Sequence, residues 1–188
     1  MSASDVLQRP SAQSGRPRFS DWMFIAFLIC MLILIGFLGK MTFREGLKTQ
    51  SSKSQAESLL AWLGHSSAQR FSEDYALPAC SGYAHGGAEA RTWGECAKAL
   101  TSAPGPLASF RNSFTGQPLG LITRCEAGDL STAGQLVIDK LTPTPPGSAV
   151  ALTVGPIEEQ EPLGRRLTLR LTVCDKGGYS IRVGETGF

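Results

Sequence analysis

Trp22-Met23-Phe24-Ile25-Ala26-Phe27-Leu28-Ile29-Cys30-Met31-Leu32-Ile33-Leu34-Ile35-Gly36-Phe37-Leu38-Gly39 is a run of eighteen residues without a charge, set between Asp21 and Lys40. As a helix it would extend about 27 Å, close to the roughly 30 Å of a bilayer's hydrocarbon core. A helix also pairs every backbone N–H within one segment, which lipid demands. Trp22 stands at one edge, where an indole favours the headgroup level. The run is longer than the about 7–15 apolar residues of a cleavable signal, and Lys40-Met41-Thr42-Phe43-Arg44 follows it in place of a small-residue cleavage site. Phe27-Leu28-Ile29 before Cys30 does not make a lipidation site, and a core helix would keep a polar face. The reading is one transmembrane helix over 21–40, retained in the mature protein.

Working outward, residues 1–20 are rich in Ser, Arg and Pro and read as a disordered cytoplasmic tail. On the other side the helical pattern continues over 41–70. Ala56, Leu59, Leu60 and Leu63 recur at i, i+3, i+4 and i+7 and share one face. Gly64 is the expected stop, and Gly46 and the polar run Thr49–Ser54 are expected points of bending. Residues 71–188 are expected to form one extracytoplasmic α+β domain. The span 71–88, with Pro78, Gly82, Gly86 and Gly87, reads as loop. A short helix is expected from Glu89 to Leu100, with Trp93, Cys96, Ala97 and Leu100 on one side.

From Leu119 the period changes to two. Strands are expected over Leu119–Cys125, from Leu136, and over Ala149–Val154 closed by Gly155-Pro156. The strongest signal is Leu167-Thr168-Leu169-Arg170-Leu171-Thr172-Val173, which alternates strictly. Asp175-Lys176-Gly177-Gly178 then supplies a turn and Tyr179–Val183 alternates back, which makes a hairpin. Helices followed by strands give an α+β fold: a single N-terminal transmembrane helix continuing into an amphipathic helix that packs on a small antiparallel β-sheet domain.

Charge and cysteines narrow the function. Net charge is +2, and residues 41–188 carry 14 Lys and Arg against 14 Asp and Glu, so the domain has no basic excess for a phosphate backbone and nucleic acid is excluded as a partner. Lys and Arg are nearly balanced across the apolar run and leave its orientation open. Beyond Cys30 there are four cysteines, Cys80, Cys96, Cys125 and Cys174, none spaced C-x-x-C. An even set in a small domain beyond a membrane helix fits two disulfides in an oxidising compartment, paired Cys80–Cys96 and Cys125–Cys174 among three connectivities. The expected location is therefore a bacterial inner membrane crossed once, with the N-terminus cytoplasmic and the domain periplasmic.

No residue set argues for catalysis, a cofactor or a metal. His85, in Tyr83-Ala84-His85-Gly86-Gly87, has the look of an esterase oxyanion loop, but no G-x-S-x-G follows. Cys80, His85 and Cys96 match no zinc spacing. Glu158, Glu159 and Glu161 read as a solvated turn without a calcium-loop pattern. Glu73 and Asp74 are adjacent and would not converge on one substrate.

A short basic tail, one apolar helix running into an amphipathic one, a connecting loop, then a sheet with a late cysteine: this order of parts resembles the type IV pilin and pseudopilin superfamily. Asn112-Ser113-Phe114-Thr115-Gly116-Gln117-Pro118 is similar to an Asn-Pro-Phe-Thr-Gly-like turn of pilin-like proteins, with Ser113 in place of the proline. The resemblance implies a non-enzymatic subunit or assembly component of a pilus or secretion system, in contact with the lipid bilayer and with like subunits or other envelope proteins through the helix and the sheet. In that family a leader ends in Gly before a Phe-like residue, with Glu five positions in. Here Gly15 precedes Arg16-Pro17-Arg18, the fifth position is Ser20, and Asp21 is the nearby acid. The expectation is a permanent anchor.

Overall fold

The computed structural model describes residues 19–83, 91–144 and 151–188. Contacts divide the chain into two compact units, Met1–Phe43 and Arg44–Phe188. Of the expected tail, residues 1–18 lie outside the described residues.

The helix α1, Phe19–Gln69, is a single element of 51 residues. In the first unit its apolar side chains are exposed, from Trp22 to Leu38. It is the one helix among the described residues long and apolar enough to cross a membrane. The polar run Thr49–Ser54 does not break α1; Thr49 Oγ1 donates to Glu45 O at 3.2 Å and Ser58 Oγ to Ser54 O at 3.0 Å, so these hydroxyls find partners inside the helix. Gly64 does not end it either. Its missing Cβ admits the sheet, since a Cβ there would stand 2.9 Å from Thr186 Oγ1. The chain leaves helix after Gln69, where Gly82 N–H and Ser81 Oγ bond the Arg70 carbonyl.

In the second unit, α2 spans Trp93–Thr101, so its described start is later than the expected Glu89; residues 84–90 lie outside the description. The Glu95 carboxylate accepts from Thr92 N–H at 3.4 Å, half of a capping box. The strands are β1 (Leu121–Ile122), β2 (Leu136–Pro143), β3 (Leu152–Pro156), β4 (Thr168–Cys174) and β5 (Ser180–Gly187). They form one sheet in the order β1-β2-β4-β5, with β3 also on β2. β4 pairs Leu136 to Leu141, β1 pairs Leu136–Val137 and β3 pairs Asp139 to Pro143. Each β2 residue has two edges, so β1 and β3 share the edge opposite β4.

The fold is the expected α+β arrangement with a mostly antiparallel sheet; β1 alone runs parallel, to β2. Two expectations are corrected. Leu119–Cys125 contributes two strand residues only; Gly120 N–H is already bonded to the Gln135 side chain at 2.8 Å, and Cys125 is drawn away to Cys174. The third strand reaches Pro156, so Gly155-Pro156 lies inside it; residues 149–150 fall outside the description. The final hairpin forms around Asp175–Gly178. Gly178 takes φ +75° and Tyr179 N–H bonds Asp175 Oδ1 at 2.8 Å. The register slips between Leu171 and Thr172, which bulges Val183 out of the β5 ladder.

The core follows from the two periods. Leu167, Leu169, Leu171 and Val173 are buried on one face of the sheet, with Leu136 and Ile138 beside them. Ala56, Leu59 and Leu63 of α1 are buried in the same cluster, as are Trp93, Cys96 and Leu100 of α2. The helix lies close on β5, since a Cβ at Gly184 would meet Leu60 Cδ2 at 2.5 Å. Phe188 is fully buried where the elements meet, its centroid 6.4 Å from that of Trp62 and 6.2 Å, edge-on, from that of Trp93.

Candidate functional site

The cysteines come together as Cys80 with Cys96 and Cys125 with Cys174. The first joins the 3₁₀ turn Pro78–Cys80 to α2; the second joins the loop after β1 to the end of β4. Cys30 is a free, exposed thiol.

The helix α2 forms one wall of a groove of about 590 Å³. Trp93, Cys96 and Leu100 turn to the core, which leaves Gly94, Ala97, Lys98 and Thr101 along the groove. The opposite wall is Leu119 to Thr123, with Ile138 and Ile157 below. Lys98 and Glu159 supply charge among the lining residues. Among the described strands none pairs with the second edge of β1. The volume is that of a small-molecule or peptide site, but the lining is mostly apolar and brings no nucleophile beside a base.

Two charged clusters lie elsewhere. The Glu161 Oε1 accepts from Lys140 Nζ at 2.8 Å and from Arg165 at 2.9 Å. Glu161 is buried, so it departs from the expected solvated turn, and these hydrogen bonds hold its carboxyl below the ordinary value. On the sheet face away from the core, Asp139, Arg170 and Glu185 stand in register across three strands. Arg170 and Arg182 both bond Glu185, at 2.8 and 2.9 Å. Burial raises the Asp139 carboxyl, and the Arg170 charge opposes it.

Arg70 is the least expected residue. It is fully buried at the end of α1, donating to Leu163 O at 2.7 Å and Arg165 O at 2.6 Å. Its guanidinium lies 4.5 Å from the Phe71 ring centroid and 4.6 Å from that of Phe188. Burial lowers its pKa to about 10, so it stays charged at neutral pH. No carboxylate pairs with it among the described residues. A sequence signal existed, for the buried face Ala56, Leu59, Leu63, Ser66 continues at the same spacing to Arg70.

His85 lies outside the described residues. His65 is on α1, its Nε2 3.2 Å from Gln69 Nε2. Glu158 and Glu159 do not join Glu161 in a cluster. Among the described residues no three His, Cys, Asp or Glu side chains gather as metal ligands would. Comparison of the chain with protein-family models, with curated proteins and with solved structures finds no match.

Proposed function

We propose that this is a non-enzymatic, single-pass protein of a bacterial inner membrane, with its N-terminus in the cytoplasm and its disulfide-bonded domain in the periplasm. It serves as a pilin- or pseudopilin-like subunit or assembly component that meets like subunits or other envelope proteins through α1 and the sheet. One observation carries the reading. A single helix has an apolar stretch that suits lipid and a later stretch whose Ala56, Leu59 and Leu63 are buried in the domain core. Two disulfides in a domain beyond that helix support an oxidising compartment.

The test is intact-mass analysis of the chain from its native membrane, with thiols alkylated before and after reduction, beside photo-crosslinkers at Leu34 and Ile122. The expected result is an unprocessed chain with two disulfides, cross-linked through Leu34 to itself or to a small set of membrane proteins. Four free thiols in the domain would reverse the topology. Absence of cross-links from both positions would end the assembly reading. The groove beside β1 favours a second reading, an anchored binding domain that takes an extended segment by strand addition. Cross-links to one unlike protein from Ile122 alone would select it.

A further inference from the structure

Among the described residues of the 44–188 unit, the three most exposed large apolar side chains are Tyr179 (65%), Leu130 (64%) and Leu47 (54%). They are far apart in sequence, yet the structure gathers them at one end of the domain. Glu45 pairs with Lys176 in the hairpin turn next to Tyr179. Lys48 stands over the Phe114 ring, 5.9 Å from its centroid. The loop carrying Leu130 is tied to the same turn by Gly128 N–H to Gly177 O at 2.8 Å and by Gly134 N–H to Cys174 O at 2.8 Å. Asn112 Nδ2 bonds Ala133 O at 2.7 Å, which joins the Phe114 turn to that loop. The end is thus built from α1 residues 45–48, the β4–β5 turn, the Phe114 turn and the Leu130 loop, the last stapled to the end of β4 by Cys125–Cys174.

Chain length says what faces it. Glu45 lies six positions after Gly39, the last of the apolar run. Whatever the conformation, six steps of chain span at most roughly 20 Å. The end that holds Glu45 therefore stays within that reach of the bilayer. The opposite end, at Arg70, lies 25 residues further on, about 38 Å away by helical rise.

We propose that this end is a lipid-contact surface: Leu47, Leu130 and Tyr179 rest in the headgroup layer of the bilayer that holds Trp22–Gly39. Tyr179 suits that layer because its ring is apolar and its hydroxyl stays wet. Leu47 and Leu130 gain by leaving water. Contact at three points, together with the anchor, holds the domain at a set tilt on the membrane. The inference rests on the membrane-spanning reading of α1 and not on the pilin-like one.

The test uses the full-length chain in phosphatidylcholine vesicles with and without brominated acyl chains. An environment-sensitive dye is placed on Leu130→Cys, Tyr179→Cys or Arg166→Cys in a Cys30→Ser background, and on native Cys30 in the unmodified chain. Quenching at 130 and 179 several-fold greater than at 166 is the expected result; Arg166 follows the carbonyl held by Arg70, at the far end. Equal, weak quenching at all three positions with strong quenching at Cys30 overturns the proposal and leaves the span intact. No quenching at Cys30 overturns both. Tyr179→Trp in a Trp22→Phe background repeats the measurement without added thiols: strong quenching of the new indole supports the contact, and weak quenching overturns it.

Discussion

Replacing Arg70 by alanine tests how the end of α1 is held to the β3–β4 connection. Three losses are read from the structure. The Leu163 carbonyl belongs to a fully buried residue and is left without its donor, at about 1–3 kcal/mol. The rings of Phe71 and Phe188 each lose a stacked cation, at about 0.5–1 kcal/mol each. The Arg165 carbonyl sits on an exposed residue and regains water, so it adds little. Against these stands the relief of a desolvated cation, whose burial is already felt in the lowered pKa. The losses exceed it, and Arg70→Ala is expected to cost about 3 kcal/mol, or near 9 °C in Tm at about 3 °C per kcal/mol for a domain of this size. The assay is thermal unfolding of the full-length chain in detergent, disulfides intact, followed by near-UV circular dichroism of Trp62 and Trp93 beside Phe188. Arg70→Met keeps the volume between the rings and removes the donors; about half of the loss should remain. If Arg70→Met melts at or above the wild type, the hydrogen bonds merely offset desolvation and the reasoning fails.

Glu161 predicts an acid dependence. Its folded-state pKa is depressed by Lys140 and Arg165, so the stability it contributes is present above the ordinary 4.5 and is lost as pH falls below it. Glu161→Gln should cost about 1–3 kcal/mol at pH 7 and flatten the fall in Tm below pH 4.5; an unchanged acid slope counts against these ion pairs. Loop closure assigns about 3 kcal/mol to Cys80–Cys96 and about 4 to Cys125–Cys174, so the Cys125→Ser, Cys174→Ser double variant should melt lower than Cys80→Ser, Cys96→Ser, and the reverse order would point to strain or residual structure. Two glycines with positive φ separate strain from collision. Gly116→Ala meets nothing within 4 Å and should cost about 1 kcal/mol, whereas a Cβ at Gly178 would collide with Glu126 O, so Gly178→Ala should cost well beyond that; equal costs in chemical denaturation would disprove the tight turn.

The proposed lipid-contact surface and the groove are distinct. The cluster of Leu47, Leu130 and Tyr179 gathers around the hairpin turn, while the groove lies between α2 and β1.

Periodicity alone, without any tertiary contact, determines much of the architecture. Eighteen uncharged apolar residues make a helix long and apolar enough to cross a membrane; Ala56, Leu59 and Leu63 could share only a helical face; Leu167 to Val173 could alternate only as a strand, and Asp175–Gly178 had to turn. These signals are local, arising from backbone geometry acting on neighbouring side chains. Other features depended on residues far apart in sequence. The parallel pairing of β1 with β2, and the shrinking of Leu119–Cys125 to two strand residues, were set by Gln135 and Cys174 reaching in from elsewhere. Gly64, a stop by local propensity, became a contact point because β5 lies against it. Glu161 looked like a surface acid until Lys140 and Arg165 converged on it, and Arg70 looked like a helix-end cation until two rings and two carbonyls enclosed it. Periodicity tells which way a side chain points; what it meets there depends on long-range packing, and for buried charge the partner decides whether burial is stable at all.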